Sequence, residues 1–221
     1  MSELSHRSDR DAIIAAVQRL FEAGVMSASG HANLSARVSP DLILLTTQGF
    51  VRDLQASSLA LVEVSGKVVE GEVDPTNQEI IDMHTAVYRL RPEVGGIVHT
   101  HSPNLLAYAM ANRPLPSRYE ALRRFGQASD IPVVPWAPRG TERSVGAIVE
   151  ALEADPGTKA VLLGNHGVLS FGPDPVTAAM VVVVAEEAAD AELAAQALGG
   201  ARSLPEGASE EIRAGMSRFA K

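Results

Sequence analysis

Apolar residues recur along the chain in two rhythms, one helical and one alternating. Ile13, Ile14, Val17, Leu20 and Phe21 follow helical spacing. Ser8 is placed as an N-cap, Asp11 suits the first turn, and Gly24 stops the helix. "MSASGHANLSARV" (26–38) reads as a small-residue loop entering a strand, and "SPD" (39–41) turns into a strand at "LILLTT" (42–47). "LALVEV" and "KVVEG" form a hairpin around Ser65-Gly66. "DPTNQEIIDMHTAVYRL" predicts a second helix that starts near Thr76 and ends at Arg91-Pro92. "GGIVHTH" (95–101) is a strand, and Ser102-Pro103 opens a third helix with serine as cap and proline at the first position. "IPVVP" is a short strand, and "GTERSVGAIVEAL" begins a fourth helix. "KAVLLGNHGVLSFG" (159–172) reads as two strands hinged at Asn165-His166-Gly167. "DPVTAAMVVVVAEEAADAELAAQAL" (174–198) predicts a long final helix, apolar on one side and acidic later.

Strands interleaved with helices predict a three-layer α/β/α fold. Several strands are joined by hairpins, so the central sheet is expected to be mixed and mostly antiparallel. The length of 221 residues suits one core, and a single domain over residues 1–221 is expected.

Composition narrows the function. The formal charge of −8 disfavours nucleic acid and anionic membranes as partners. With no cysteine, disulfides and thiolate metal sites are excluded. The longest apolar run, "VTAAMVVVVA", is far short of the roughly 20 residues of a membrane span and leads into Glu186-Glu187. The opening "MSELSHRSDRDAI" lacks the apolar core of a signal peptide, and a cytoplasmic location is expected.

The candidate chemistry lies in histidines. His99 and His101 are two apart on an apolar strand and so share a face. They are either core residues bonded to backbone or two imidazoles converging on a metal ion. His166, set at a glycine hinge, adds a third donor. Three histidines leave a coordination position open, as in catalytic zinc sites. His84 lies among apolar residues of the second helix, where periodicity favours a core or supporting position over a ligand. Glu79, at the start of that helix, is either the proton-moving carboxylate or a dipole-placed glutamate.

"IVHTHSPNLLAYAM" and "LLGNHGVLSFG", with "SGHANLSAR", "LLTTQGF" and "HTAVYRLRPEVGGIVHTH", resemble the class II aldolase/adducin family across most of the chain. The resemblance implies that His99, His101 and His166 bind Zn2+, with Mn2+ or Co2+ as alternatives. It implies that Asn33 and Gly49 hold a phosphate or similar anion, and that a glutamate moves a proton while the metal stabilises an enediolate. It also implies a homotetramer with active sites at subunit interfaces.

The chain departs from the pattern of the sugar-phosphate aldolases. Their glutamate stands four residues before the helix histidine, where this chain has Ile80; Glu79 stands five before His84. Gln78-Glu79 replaces a serine pair, and Gln48 replaces a threonine of the phosphate loop. An acidic group there would repel phosphate, so His31 and Arg37 are considered as recruiters of another anion, such as a carboxylate. Glu120 is a second candidate base, with Tyr119 beside it as a proton donor. The late histidine and tyrosine of the related epimerases are missing, since no histidine follows His166 and no tyrosine follows Tyr119. The leading expectation is therefore a metal-dependent aldolase acting on a small-molecule carbonyl substrate, a ketose (phosphate) or hydroxyketone. The alternatives are a decarboxylase or dehydratase of a sugar acid or keto acid on the same fold, and a non-catalytic adducin-like binding module. Arg123, Arg124, Arg139 and Arg143 form a loose basic cluster, read first as solvated charge, and Trp136 is read as packing before pocket wall.

Overall fold

A computed structural model of the chain describes residues 5–219. Among them, eight strands form one sheet: β1 (Ala32–Ser39), β2 (Leu42–Thr46), β3 (Leu59–Glu63), β4 (Val68–Glu70), β5 (Gly96–Thr100), β6 (Val133–Val134), β7 (Ala160–Leu163) and β8 (Gly167–Gly172). Their spatial order is β4-β3-β2-β1-β5-β8-β7-β6. Every neighbouring pair is antiparallel except β6 with β7, which makes the sheet mixed and mostly antiparallel, as the hairpins predict.

Helices cover both faces. On one side α1 (Arg7–Glu22), α3 (Pro103–Met110), α4 (Glu120–Arg124) and α6 (Pro175–Ala195) join strand residues such as Leu34, Val98 and Leu162 in one apolar core. On the other side α2 (Gln78–Leu90) and α5 (Glu142–Ala154) pack on Ile43, Ile97, Leu169 and Phe171. Neighbouring strand residues fall alternately into the two cores, as a period of two requires. Ile97 faces α2 and α5, so His99 and His101 project to that side too.

Some local expectations change. The first helix begins at Arg7 with His6 at its cap position, so Ser8 lies inside the first turn. A short 3₁₀ turn, Pro75–Asn77, precedes α2, which starts at Gln78 instead of Thr76. Ser102 occupies the cap position of α3 but makes no capping bond. Glu186 of α6 does that work instead, accepting from the backbone amides of Asn104 and Leu105 at 2.7 and 2.9 Å. A carboxylate brought from a distant helix also meets the helix dipole. The long helix α6 is buried on nearly all sides in its first half, rather than along one stripe. It is not the last element: α7 (Ala208–Phe219) follows it and packs on α4. No helix among the described residues is long and apolar enough to cross a membrane.

Candidate metal centre

The histidine cluster is assembled at one end of the central strands. β5 delivers His99 and, just past its end, His101. The β7–β8 turn delivers His166. That turn closes by a bond from the His166 amide to the Leu163 carbonyl, with Asn165 in the left-handed region at φ 55°. Asparagine tolerates that conformation better than most residues.

The three rings lie 4.7–5.1 Å apart between centroids, and one nitrogen from each falls within 4.8 Å of the others. Three features fit this set to a divalent ion. His99 Nδ1 donates to the Val168 carbonyl at 2.9 Å, which fixes the tautomer and leaves Nε2 with a free lone pair. His101 Nε2 is buried with no hydrogen-bond partner. The pKa of each ring is also depressed, chiefly by burial and then by neighbouring positive charge. For His166 the value falls to about 4, so neutral donors are the stable form at pH 7.

Gly167 makes the approach possible. A Cβ there would lie 2.6 Å from the Thr100 carbonyl and 2.7 Å from the His101 ring. Gly167→Ala is therefore expected to push β5 and β8 apart. The expected cost is about 1–3 kcal/mol of stability, with metal affinity roughly tenfold weaker or worse. Denaturant unfolding together with metal titration checks this.

The histidines open into a cavity of about 520 Å³. His31, Asn33, Gln48, Gly49 and Glu79 also line it, so these expected residues do meet the cluster. His31 packs against Phe50 with ring centroids 4.0 Å apart. Glu79 is paired with Arg139.

Other expected residues lie elsewhere. Gln78 is exposed and does not line the cavity, because α2 turns it outward; its neighbour Asn77 faces in. One residue of helix is a rotation of about 100°. Tyr119 and Glu120 do not line the cavity either. They sit at α4, on the α6 side of the sheet, where Tyr119 Oη is 3.4 Å from Glu187 and Glu120 pairs with Arg124 at 2.8 Å. Arg37 is spent on the backbone carbonyls of Val94, Pro40 and Tyr88 and stacks on the Tyr88 ring. The basic cluster is dispersed: Arg123 bonds to the Ser117 carbonyl, Arg124 to Glu120, and Arg139 to Glu79. Two lining residues that the sequence left as surface charge or packing are Arg139 and Trp136, both on the loop between β6 and α5.

His84 has a supporting place. It is fully buried, with Nε2 2.7 Å from Asn33 Oδ1 and Nδ1 2.6 Å from Ser35 Oγ, which in turn meets Tyr88 Oη at 2.9 Å. With Nε2 donating and Nδ1 accepting, Asn33 is held by its oxygen, and its NH2 end is left for the cavity. Burial lowers the His84 pKa to about 3, from an ordinary 6.5. In the window between those values the unfolded chain binds a proton there and the folded chain does not. Stability from this group is therefore fully present above about pH 6.5 and is lost as pH falls toward 3, at about 1.4 kcal/mol per unit. Urea melts from pH 7 to 4 are expected to show that loss, and a shallower slope in His84→Gln.

A mixed sheet that gathers three imidazoles and a carboxylate in one cavity presents donors of the kind that bind divalent ions. Residues 11–193 match the Class II Aldolase and Adducin N-terminal domain family, and the chain belongs to it. The 5-deoxy-D-ribulose 1-phosphate aldolase of Bacillus thuringiensis serovar kurstaki is 26% identical over 207 residues, which is 93% of this chain and 94% of that protein. The solved structure of an L-fuculose 1-phosphate aldolase matches with a TM-score of 0.84 at 25% identity, covering 98% of this chain and all 100% of that one. YgbL of Klebsiella pneumoniae, whose activity is left open between aldolase, epimerase and decarboxylase, matches with a TM-score of 0.79 at 25% identity, over 95% of this chain and 100% of that one.

Proposed function

We propose that this chain is a metal-dependent aldolase that breaks or forms a carbon–carbon bond beside a carbonyl. The observation that carries the reading is the buried, partnerless His101 Nε2 facing two further imidazoles in a cavity shared with Glu79. His99, His101 and His166 would hold Zn2+, or Mn2+ or Co2+ in its place. The ion, when bound, would supply Lewis-acid polarisation of a substrate carbonyl and stabilise the negative charge that develops there.

The chain's own groups do the rest. In the cleavage direction Glu79 takes the proton from the hydroxyl of the carbon that leaves as aldehyde. The bond electrons pass to the carbon beside the carbonyl, and the proton is returned to that carbon, so charge and atoms balance. The NH2 of Asn33, oriented through His84, donates to a substrate oxygen. Trp136 and Phe50, 57% and 61% exposed, form apolar walls that a substrate or a neighbouring subunit would cover. A homotetramer with interface active sites, located in the cytoplasm, is part of the proposal.

A same-fold decarboxylase or dehydratase is the second reading. It is favoured by Arg139 and Glu79 standing together in the cavity, and by the likeness to YgbL. A non-catalytic module has no need for three aimed histidines. Incubating the protein with ketose 1-phosphates, sugar acids and keto acids, with and without a chelator, separates these readings by product. Aldehyde release that the chelator stops supports the aldolase; CO2 or water loss supports the second reading; no turnover on any class contradicts both.

A further inference from the structure

A substrate anion entering the cavity finds few groups free to receive it. The backbone amides of Gly49 and Gln48 donate to Asn77 Oδ1, at 2.7 and 3.3 Å, once that carboxamide is oriented to suit its neighbours. The chain thus fills this pair of donors with its own side chain. Asp74 and Glu79 line the same space and oppose a second negative charge. Among the described residues that line it, Arg139 carries the one guanidinium or ammonium group.

Arg139 is set for this task by its loop. Its neighbour Gly140 has φ 71°, and a Cβ there would lie 2.8 Å from Glu79 Cβ, so the loop backbone rests directly on Glu79. The guanidinium pairs with the Glu79 carboxylate while 56% of the Arg139 side chain stays exposed. It is therefore both occupied and accessible to an incoming competitor.

We propose that Arg139 is the carboxylate-binding residue of the site and that its substrate is a hydroxylated keto acid. In the free protein Glu79 is the counterion that the substrate carboxylate displaces. This rests on the reading that His99, His101 and His166 would hold an ion able to polarise a substrate carbonyl. A guanidinium presents two parallel N–H groups that match two coplanar oxygens, and it already holds a carboxylate here. A phosphate brings a third oxygen and more charge, and the nearest backbone amides are committed to Asn77. The exchange also times the chemistry. Glu79 stays tied to Arg139 until a substrate carboxylate arrives, and only then is it released to move a proton.

The chain has a single tryptophan, Trp136, and it lines the cavity three residues before Arg139, so its fluorescence reports binding. The probes are D-glycerate, glycerol 3-phosphate and glycerol, which share a three-carbon frame and differ in the anion. Each is titrated into zinc-loaded and chelated protein, with metal content measured alongside. Wild type is expected to bind glycerate better than the other two. Arg139→Met is expected to weaken glycerate binding roughly tenfold or more, the scale of a lost charged hydrogen bond, with metal content unchanged. Arg139→Lys is expected to fall between. Glu79→Gln is expected to tighten glycerate binding several-fold, because the competitor has lost its charge.

Equal glycerate binding by Arg139→Met and wild type overturns the proposal, as does a preference for glycerol 3-phosphate or no binding of any probe. Failure of the metal reading looks different. The protein would retain no ion, yet glycerate binding would still depend on Arg139 in the chelated protein.

Discussion

His101→Ala is expected to lose stoichiometric metal and to lower turnover by about a thousandfold or more, while the fold survives. The geometry sets this scale. Three nitrogens within 4.8 Å of one another make up the whole donor set found among the described residues. Removing one leaves two imidazoles, too few to fix an ion that needs three protein ligands and an open position. His101 is the ring whose Nε2 has no other partner, so its loss breaks no hydrogen bond at that atom. It is only half-buried, and its neighbours His99 and His166 keep their places through the Val168 carbonyl and the β7–β8 turn. Metal analysis and a thermal melt on the same sample separate loss of the ion from loss of the fold.

Glu79→Gln is expected to lower kcat by about 10²–10⁴, the range that a positioned acid–base group supplies, while the metal stays bound. The amide keeps the size and most of the contacts of the carboxylate but cannot take a proton. Glu79 is not among the three donors that lie within 4.8 Å of one another, so metal content is expected to separate this variant from His101→Ala. A variant that keeps full turnover would remove Glu79 from the mechanism.

How far the sequence reveals this site depends on the range of the interaction concerned. His99 and His101 are legible because a strand alternates faces and two donors at that spacing must point together. His166 is legible because a glycine beside it marks a turn, and Gly167 proves to be the residue whose missing side chain lets the rings approach. The mixed sheet follows from hairpins that a single chain displays locally. Phase errors of one residue are harder to see. Gln78 and Asn77 are neighbours, and only the 3₁₀ turn before α2 decides which of them faces the cavity.

Long-range substitutions are harder still. Nothing local to Ser102 tells that Glu186, more than eighty residues later, caps α3 in its place. Arg139 is similar. As one arginine in a basic stretch it reads as surface charge, and its meaning comes from Glu79 across the cavity, sixty positions earlier in the chain. Tyr119 and Glu120 show the converse. Their residue types suit proton transfer, but α4 places them on the other side of the sheet from the histidines.

The most direct measurement is a zinc titration of chelator-treated protein, following ion bound per chain and cleavage of the best substrate from the screen together. The account predicts that activity is absent at the start, rises in step with bound ion and levels off at about one ion per chain, the occupancy of a three-histidine site with one open position. Full activity in the chelated protein, or zinc that binds without changing turnover, would contradict it.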